Sequence, residues 1–491
     1  MLICEFPNFQ IKNMGNPKAF LTVRRKEAGY RPIQERILDF GEVEQTLNTE
    51  DRREQASRCM DCGVPFCHWG CPLGNKMPEW QEYIYKGNWK LAAEVLMQTN
   101  DFPEFTGRIC PAPCEKSCVL SIHRAPVTIR ENEASTLEHA FNEGFIQPKI
   151  PVKRTGKKVA VIGSGPSGLA VANQLNQKGH NVTVYEKSSR MGGLLRFGIP
   201  DFKLNKNIID RRLKLMELEG VKFVTDTEIG KNIKGKDILK QYDAVCIAIG
   251  SQVPRDLPVE GRGLKGVYFA MEYLSVQNKL VAKEEIPANQ VIDAKGKNVL
   301  VIGGGDTGSD CIGTANRQGA ANILQIEILP KPAKLEEIEN PWPVPFPVVL
   351  KTSSSHLEGC DRRWPVNTKR FIGENGLLTG VELVNIEWEK DENGKHTMKE
   401  VGEPEILKID LVFLALGFVH PIQEGLLKEL GIKTDNIRHN ITTDENRATN
   451  VAKIFGAGDC VSGQSLVVTS IASGRKTAGH IHGFLCTKGD K

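Results

Sequence analysis

Cysteines crowd into one short stretch of this 491-residue chain and limit what that stretch can fold into. They follow the patterns CxxCxxxxCxxxCP and CPxxCxxxC. Thiolates at such spacings converge on inorganic centres, and short cysteine runs that close on a proline are typical of cubane iron–sulfur clusters. The pattern therefore predicts electron transfer through this region. The residues are Cys59, Cys62, Cys67, Cys71, Cys110, Cys114 and Cys118.

Two other uses of these cysteines stay open at this level. Structural zinc sites also use CxxC pairs, so two zinc ions are an alternative. Disulfides are disfavoured, because the first twenty residues have no apolar core with a cleavage site and indicate no export to an oxidising compartment. The remaining cysteines, Cys4, Cys246, Cys311, Cys360, Cys460 and Cys486, are scattered and are expected to be ordinary thiols.

Seven cysteines are one short of two four-ligand clusters, so an eighth donor is needed. The nearest donors are His68, His123, Glu131 and Glu133. A histidine beside a cysteine run is often a surface residue, and a glutamate in a helical stretch is usually a solvated charge. Local spacing does not decide among the four.

Length and composition narrow the class of protein. A chain of this length is expected to form about three domains. Its 64 basic and 60 acidic residues give a net charge of +4 without a dense basic block, and aromatics are only 7%. These values argue against nucleic acid as a partner. No apolar run approaches the roughly 20 residues of a membrane span, so we expect a cytoplasmic protein that does not enter the membrane.

A dinucleotide-binding pattern follows the cysteines. The apolar run KKVAVIG opens into Gly163, Gly165 and Gly168, a helical stretch and a second strand that ends at Glu186. The first glycine allows the tight turn, the second lets backbone N–H groups approach a pyrophosphate, and the third lets helix pack on strand. The terminal acid accepts a hydrogen bond from a ribose hydroxyl. The whole sequence of elements predicts a Rossmann-like nucleotide site.

The pattern returns after KNVLVIG, with Gly303, Gly305, Gly308 and the acid Glu327. One chain with two such sites is the plan of a flavoprotein reductase, in which one site holds FAD and the other a nicotinamide nucleotide. A degenerate second fold without ligand is disfavoured because all three glycines are present. We predict hydride transfer by proximity and orientation, and no catalytic acid or base.

The surroundings of each copy indicate which one holds FAD. The first copy is followed by MGGL, which contains Gly193, and the C-terminal region carries IFGAGD, which contains Gly458 and Asp459. A flavin needs contacts beyond its ADP half, and Asp459 is placed to bind a ribityl or pyrophosphate oxygen. The run 463–475 is expected to begin a helix that faces the flavin. The first site is therefore predicted to bind FAD.

The predicted fold class is α/β. An N-terminal α-helical domain over 1–145 binds two [4Fe–4S] clusters, and two Rossmann-like doubly wound domains follow. The FAD domain takes 146–289 and 406–491, and the NAD(P)H domain, 290–405, is inserted in it. Glu327 favours a free 2′-hydroxyl and hence NADH, although Lys331 and Lys334 could neutralise a 2′-phosphate.

Five stretches together resemble one known family. CMDCGVPFCHWGCPLGN, FTGRICPAPCEKSCVL, VAVIGSGPSGL, GGGDTGSDC and IFGAGDC are similar to segments of the small (beta) subunit of glutamate synthase. The resemblance covers nearly the whole chain. It implies a protein that oxidises NAD(P)H at FAD and feeds electrons through two [4Fe–4S] clusters to a large (alpha) subunit, in a hetero-oligomer. There, glutamate is made from glutamine and 2-oxoglutarate.

The resemblance also implies how the ligands divide. Cys59, Cys62 and Cys67 join Cys118, and Cys71 joins Cys110 and Cys114, so the two runs interleave. Glu133 matches the non-cysteine donor of similar proteins. The segment 330–373, rich in proline and tryptophan, departs from the shorter arginine-bearing version of some members; it is either a surface loop or a cofactor or partner contact.

Two other functions remain as hypotheses. A sibling flavoprotein reductase would deliver electrons to ferredoxin, sulfur species or another oxidoreductase domain. A non-enzymatic, metal-stapled assembly module is disfavoured by the intact glycine turns. Glutamine chemistry is not expected in this chain, because Cys4 lies behind three residues and is not an N-terminal nucleophile.

Overall fold

The computed structural model describes residues 16, 18–334, 342, 350–390, 394 and 396–487; Cys4 lies outside them. The chain divides into two compact units. The first contains residues 16, 18–29 and 46–146 together with Trp342. The second contains the other described residues, including 30–45, which the sequence had placed with the cysteine domain.

The first unit is helical and is built around the cysteine runs. The pattern between the two runs predicts helix, and the structure forms two helices there, because Gly87 adopts a positive φ of 76° and Asn88 caps the second. Trp80, Ile84, Leu96 and Leu137 are fully buried between these helices and the last one. The helices in chain order are α1 Ala19–Thr22, α2 Ile33–Arg36 (in the second unit), α3 Thr49–Ala56, α4 Phe66–Gly70, α5 Met77–Tyr85, α6 Trp89–Thr99, α7 Pro103–Ile109, α8 Pro113–Lys116 and α9 Ile129–Asn142, with a 3₁₀ turn at Val119–Ile122.

The second unit begins with a parallel sheet in the order β15-β4-β1-β2-β3. Its three central strands are short runs rich in β-branched residues and are mostly buried, as expected where helices cover the sheet, whereas its edge strand β3 is not buried. The strands are β1 Lys158–Ile162, β2 Asn181–Tyr185, β3 Lys222–Val224, β4 Ala244–Ile247, β5 Val253–Pro254, β6 Val267–Phe269, β7 Asn298–Ile302, β8 Asn322–Ile326, β9 Asp361–Arg363, β10 Val366–Glu374, β11 Leu377–Lys390, β12 His396–Lys408, β13 Leu411–Leu414, β14 Phe418–His420 and β15 Ile454–Gly456.

A second parallel sheet has the order β6-β13-β7-β8-β9, so both glycine motifs follow a strand at the centre of a doubly wound sheet. The helices of the second unit are α10 Pro166–Gln177, α11 Leu194–Phe197, α12 Lys206–Leu218, α13 Gly235–Gln241, α14 Ala270–Val281, α15 Asp306–Gln318, α16 Ser354–Leu357, α17 Leu426–Leu430, α18 Asp459–Ser462 and α19 Val467–Thr487, with a 3₁₀ turn at Ala288–Gln290. The helix expected within 463–475 begins at Val467.

The second sheet recruits strands from outside the predicted 290–405 segment. β13 pairs with the central strand β7 and β6 forms the edge beyond it, so Val412 is paired to both Val267 and Leu300. A separate antiparallel sheet, β10-β11-β12, also follows β9 and was not predicted. We therefore propose that the inserted domain begins before β6 and ends after β13. Within the described residues, no helix is long and apolar enough to cross a membrane.

Candidate functional site

The structure gathers four cysteines from both runs around one cavity of the first unit. Cys59, Cys62, Cys67 and Cys118 line it. Its remaining wall is mostly apolar, with one amide, and consists of Met60, Pro65, Phe66, Met77, Gln81, Val119, Leu120, Val127 and Ile129. These four cysteines are the first of the two interleaved sets that the family resemblance implies. They fit a cubane, because thiolates converge on an apolar space.

A close helix contact joins the two cysteine runs. Gly70 ends α4, and a Cβ added there would stand 2.2 Å from Ser117 Oγ and 3.1 Å from the carbonyl oxygen of Pro113. Only glycine allows this approach. Because Cys67 and Cys71 flank Gly70 while Cys114 and Cys118 flank Ser117, the contact brings together ligands of both predicted sets.

The second set lies deeper in the helical unit. Burial raises the pKa of Cys71, Cys110 and Cys114, and the nearby charge of Glu133 raises the pKa of each of them further. Glu133 is 6% exposed, and its Oε1 accepts hydrogen bonds from Asn100 Nδ2 at 2.7 Å and from Thr106 Oγ1. The carboxylate is thereby oriented among the three cysteines.

Close helix packing holds Glu133 in place. A Cβ on Gly107 in α7 would stand 2.6 Å from the backbone nitrogen of Ala134 in α9. Glu133 therefore sits one residue from a close contact between these helices. The other candidate donors have different surroundings: Glu131 accepts from Arg52 at 3.2 Å, His68 lies 3.5 Å from Glu79, and His123 is exposed.

Burial dominates the acid–base chemistry of both sets. It raises the pKa of Cys59 and of Cys110 to about 12, and that of Cys114 well above its ordinary value. Burial also raises the pKa of Glu133 to about 8. Metal ligands must be deprotonated, so a bound cation is what would make ionised forms favourable at these positions.

Among the described residues, no three histidine, cysteine, aspartate or glutamate side chains form a group that could hold a single metal ion. A cubane distributes four donors over four iron atoms and therefore spaces them more widely than one zinc ion does. The first set, whose four cysteines line one cavity, is compatible with that wider spacing.

The first glycine turn has the backbone geometry of a dinucleotide site. A Cβ on Gly163 would stand 2.4 Å from the carbonyl oxygen of Ala248, and one on Gly168 would stand 2.0 Å from that of Gly163. At Gly165, by contrast, no described atom lies within 4 Å of the Cβ position. The first and third glycines are thus required by packing, and the second leaves the turn open to a pyrophosphate.

Glu186 follows β2 and supports this turn. It accepts hydrogen bonds from the backbone N–H and hydroxyl of Ser164, at 3.1 and 2.5 Å, and from the N–H of Ser188 at 3.0 Å. The side chain is 6% exposed. A carboxylate fixed at the end of the second strand is the acceptor that an adenosine ribose requires.

The predicted flavin residues from distant segments meet this turn. A Cβ on Gly193 would lie 2.9 Å from the Cα of Gly165, and one on Gly458 would lie 2.7 Å from the Cβ of Ser167. Asp459 starts α18 and accepts from Ser465 Oγ at 2.7 Å and Ser470 Oγ at 2.9 Å. Burial raises the pKa of Asp459. The arrangement fits FAD, whose contacts extend past the ADP half.

The second glycine turn repeats the first. A Cβ on Gly303 would stand 2.4 Å from the carbonyl oxygen of Ala415, and one on Gly308 2.4 Å from that of Gly303. Gly305, like Gly165, has no described atom within 4 Å of its Cβ position. Glu327 accepts a hydrogen bond from the N–H of Gly304, as Glu186 does from Ser164. This turn fits the ADP half of a nicotinamide nucleotide.

The sequence did not single out Arg362 or Trp364 beside this second site. The strand β9 pairs with β8, and the N–H of Glu327 donates to the carbonyl of Arg363 at 3.2 Å. The Trp364 ring lies 4.6 Å from the Arg362 guanidinium and 5.7 Å from the Lys331 ammonium. Lys331 and Arg362 therefore both lie near the Trp364 ring. The pairing of β9 with β8 places this group beside Glu327, and no sequence motif indicated that pairing.

Two family models match the chain. One described as pyridine nucleotide-disulphide oxidoreductase matches residues 157–474, and one described as dihydropyrimidine dehydrogenase domain II, 4Fe-4S cluster, matches residues 36–145. The glutamate synthase [NADPH] small chain of Mycobacterium tuberculosis is 44% identical over 476 residues, which cover 96% of each chain. The chain belongs to the glutamate synthase small-chain family. The predicted family is therefore confirmed.

Membership of this family defines the class of chemistry. The chain is a pyridine nucleotide-dependent flavoprotein oxidoreductase with an iron–sulfur domain, and its role is electron transfer. The 4Fe-4S match favours a cluster over zinc in the cysteine unit. The glutamate synthase [NADH] of Schizosaccharomyces pombe is also 44% identical over 478 residues, but these make up only 22% of that longer protein.

A solved structure supports the fold of this family member. Mycobacterium tuberculosis FprA in complex with NADPH matches with a TM-score of 0.54 over 68% of this chain and 86% of that chain, at 18% identity. At that identity the likeness concerns the fold alone. The predicted α/β class with Rossmann-like domains is confirmed.

Proposed function

We propose that this chain is the small subunit of a glutamate synthase. It oxidises NAD(P)H at FAD and passes electrons through two [4Fe–4S] clusters to a large (alpha) subunit that makes glutamate from glutamine and 2-oxoglutarate. The observation that carries the proposal is the grouping of eight donors into two sets of four within one helical unit. The same chain carries two dinucleotide turns, so it combines sites for NAD(P)H and FAD with clusters that pass the electrons on.

The proposed ligands follow from that grouping. One cluster is held by Cys59, Cys62, Cys67 and Cys118, and the other by Cys71, Cys110, Cys114 and Glu133. Burial of the second set, and the hydrogen bonds that orient Glu133, support the assignment. Reduced thiols are needed throughout, so we place the protein in the cytoplasm.

The proposed nucleotide sites use the backbone more than side chains. The turn around Gly165 and the N-terminus of α10 hold the pyrophosphate of FAD, and Glu186 holds its ribose. The turn around Gly305 and the N-terminus of α15 do the same for NAD(P)H, with Glu327 at the ribose. When bound, FAD accepts electrons as a pair and releases them singly. The protein's task is therefore to orient the two nucleotides and exclude water.

The partner is supported by the relatives. The Mycobacterium tuberculosis protein is named a small chain, and in Schizosaccharomyces pombe the matching region is a fraction of a longer glutamate synthase. We propose a hetero-oligomer with a large subunit. A sibling reductase with another acceptor is the second candidate, favoured by the match to a dihydropyrimidine dehydrogenase domain.

The test is an anaerobic titration of the purified chain with NADH and NADPH separately, followed by flavin absorbance. A large glutamate synthase subunit of demonstrated activity, glutamine and 2-oxoglutarate are then added. Flavin reduction followed by glutamate formation supports the small-subunit function. Flavin reduction without glutamate formation favours the sibling reductase instead. If neither NADH nor NADPH reduces the flavin, both candidate functions are contradicted.

A further inference from the structure

The Trp342 ring lies against Phe66, a wall residue of the cavity of the first cysteine set. In sequence it belongs to the proline- and tryptophan-rich segment between β8 and β9, yet it groups with the cysteine unit. Its ring centroid is 4.8 Å from that of Phe66, at an interplanar angle of 56°. Its Nε1–H donates to the carbonyl oxygen of Ser117 at 3.3 Å.

Both contacts fall one residue before a proposed cluster ligand. Phe66 precedes Cys67, and Ser117 precedes Cys118. Phe66 is also part of the cavity wall, whereas Trp342 is not among the lining residues. Trp342 therefore covers the outer side of a wall residue and ties it to the second cysteine run.

Trp69 provides an internal comparison on the same aromatic cluster. Its ring also contacts Phe66, edge-on at 6.3 Å, but its side chain is 76% exposed. Trp342 is partly buried. Of these two tryptophans, Trp342 is the one that is partly buried and bridges both cysteine runs.

We propose that Trp342 is a positioning residue that keeps water away from the cluster held by Cys59, Cys62, Cys67 and Cys118. This inference rests on the proposed function, which supplies the cluster. The potential of an iron–sulfur cluster depends on solvent exposure and on hydrogen bonding around its sulfurs. The reduced cluster carries one more negative charge than the oxidised cluster, so water stabilises it more strongly.

The expected effect has a definite sign. Removing the ring exposes Phe66 and lets water approach the cavity, so the Trp342→Ala variant should raise the midpoint potential of this cluster. It should also shorten the lifetime of this cluster in air. The other cluster, which includes Glu133, should keep its potential and its lifetime.

The experiment compares the full-length wild-type chain with Trp342→Ala, Trp342→Phe and Trp69→Ala. Iron and acid-labile sulfide are measured first, then both cluster potentials by EPR-monitored redox titration, then decay of the cluster absorbance in air. Trp342→Phe keeps the ring contact and should retain the wild-type potential. Trp69→Ala should also match the wild type.

Each failure has its own meaning. A wild-type chain without iron–sulfur clusters contradicts the proposed function itself. Two intact clusters whose potentials are unchanged in Trp342→Ala overturn only the role of Trp342. If the cluster potential shifts equally in Trp342→Phe and Trp342→Ala, the ring does not exclude water. If Trp342→Ala shifts the potentials of both clusters equally, the whole unit has loosened, and this outcome also overturns the proposal.

Discussion

At the residue scale, the site depends on side chains whose neighbours change their ordinary behaviour. Glu133 is a buried carboxylate hydrogen-bonded to Asn100 and Thr106, and burial raises its pKa. Glu327 accepts a hydrogen bond from the N–H of Gly304 in its own glycine turn. Both are acids at helix or strand positions that would be solvated if the chain were unfolded. The role of each carboxylate follows from the groups around it, and a single substitution can test each one.

Replacing Glu133 by Ala should remove one cluster. The iron content is expected to fall from about eight to about four atoms per chain, because the second set would keep only three donors. Iron and sulfide analysis with EPR measures this loss. The control is Glu143→Gln at the exposed end of the same helix, which should retain the wild-type iron. Full iron content together with an unchanged EPR signal in Glu133→Ala would exclude this glutamate as a ligand.

Replacing Glu327 by Gln should shift nucleotide preference toward NADPH. The neutral amide still accepts a hydrogen bond but no longer repels a 2′-phosphate, so the ratio of NADPH to NADH affinity should rise about tenfold, or roughly 1.4 kcal/mol. Separate anaerobic binding titrations measure both affinities. Glu389→Gln, an exposed acid paired with Lys399, serves as the control. An unchanged ratio would show that Glu327 does not face the ribose.

At the element scale, close helix contacts and helix docking decide whether the site assembles. The α4–α8 approach at Gly70 brings the two cysteine runs together. The helix α19 packs on α10, and the His180–His482 hydrogen bond holds it there. The cysteines of each run could be predicted as metal ligands from the sequence, because they lie close together in the chain. The interleaving of the runs was supplied by family resemblance, since a 3.6-residue period does not specify which helix meets which.

Gly70→Ala should prevent normal cluster assembly. The added methyl would collide with the Ser117 side chain and approach the Pro113 carbonyl, so α4 and α8 must separate by several tenths of an ångström or more. We expect at least half of the iron to be lost, measured per folded chain. Gly63→Ala, where no described atom lies within 4 Å of the new Cβ, is the matched control. Equal iron in both variants would contradict this account.

The His180–His482 contact should make stability depend on pH. Burial, with the charge of His482, lowers the pKa of His180 to about 4 from 6.5. Between these values the unfolded chain binds the extra proton, so the contribution is present above pH 6.5 and is lost as the pH falls toward 4. Urea unfolding across this window measures the loss. His180→Asn should flatten the dependence, whereas His480→Asn should preserve it; identical pH slopes would refute the assignment.

At the scale of the whole molecule, the helical first unit carries the proposed clusters and the second unit carries both dinucleotide folds. The sequence indicated this division because metal ligands and glycine turns occupy separate stretches. It placed residues 30–45 and the strands β6 and β13 differently from the structure, since strand pairing and packing partners are chosen over long separations. The antiparallel sheet β10-β11-β12 likewise had no marker among the motifs.

Iron removal should affect the two units unequally. An anaerobic chelator should take away the metal that organises buried thiols in the helical unit, and its unfolding temperature should fall by at least about 5 °C. The flavin should stay bound to the second unit. Calorimetry and flavin absorbance on the same sample measure both effects, with the untreated chain as the control. Release of the flavin together with the iron would contradict separate stabilisation.

The sequence by itself determined the chemistry of this protein: the cysteine runs, the two glycine turns and the acids that follow their second strands. These are local patterns, because metal ligation and phosphate binding require particular residues at short spacings. Tertiary structure decided the gathering of Glu133 with three cysteines, the strand membership of the second sheet and the contact of Trp342 with Phe66. Those features join residues far apart in the chain, and only packing selects such partners.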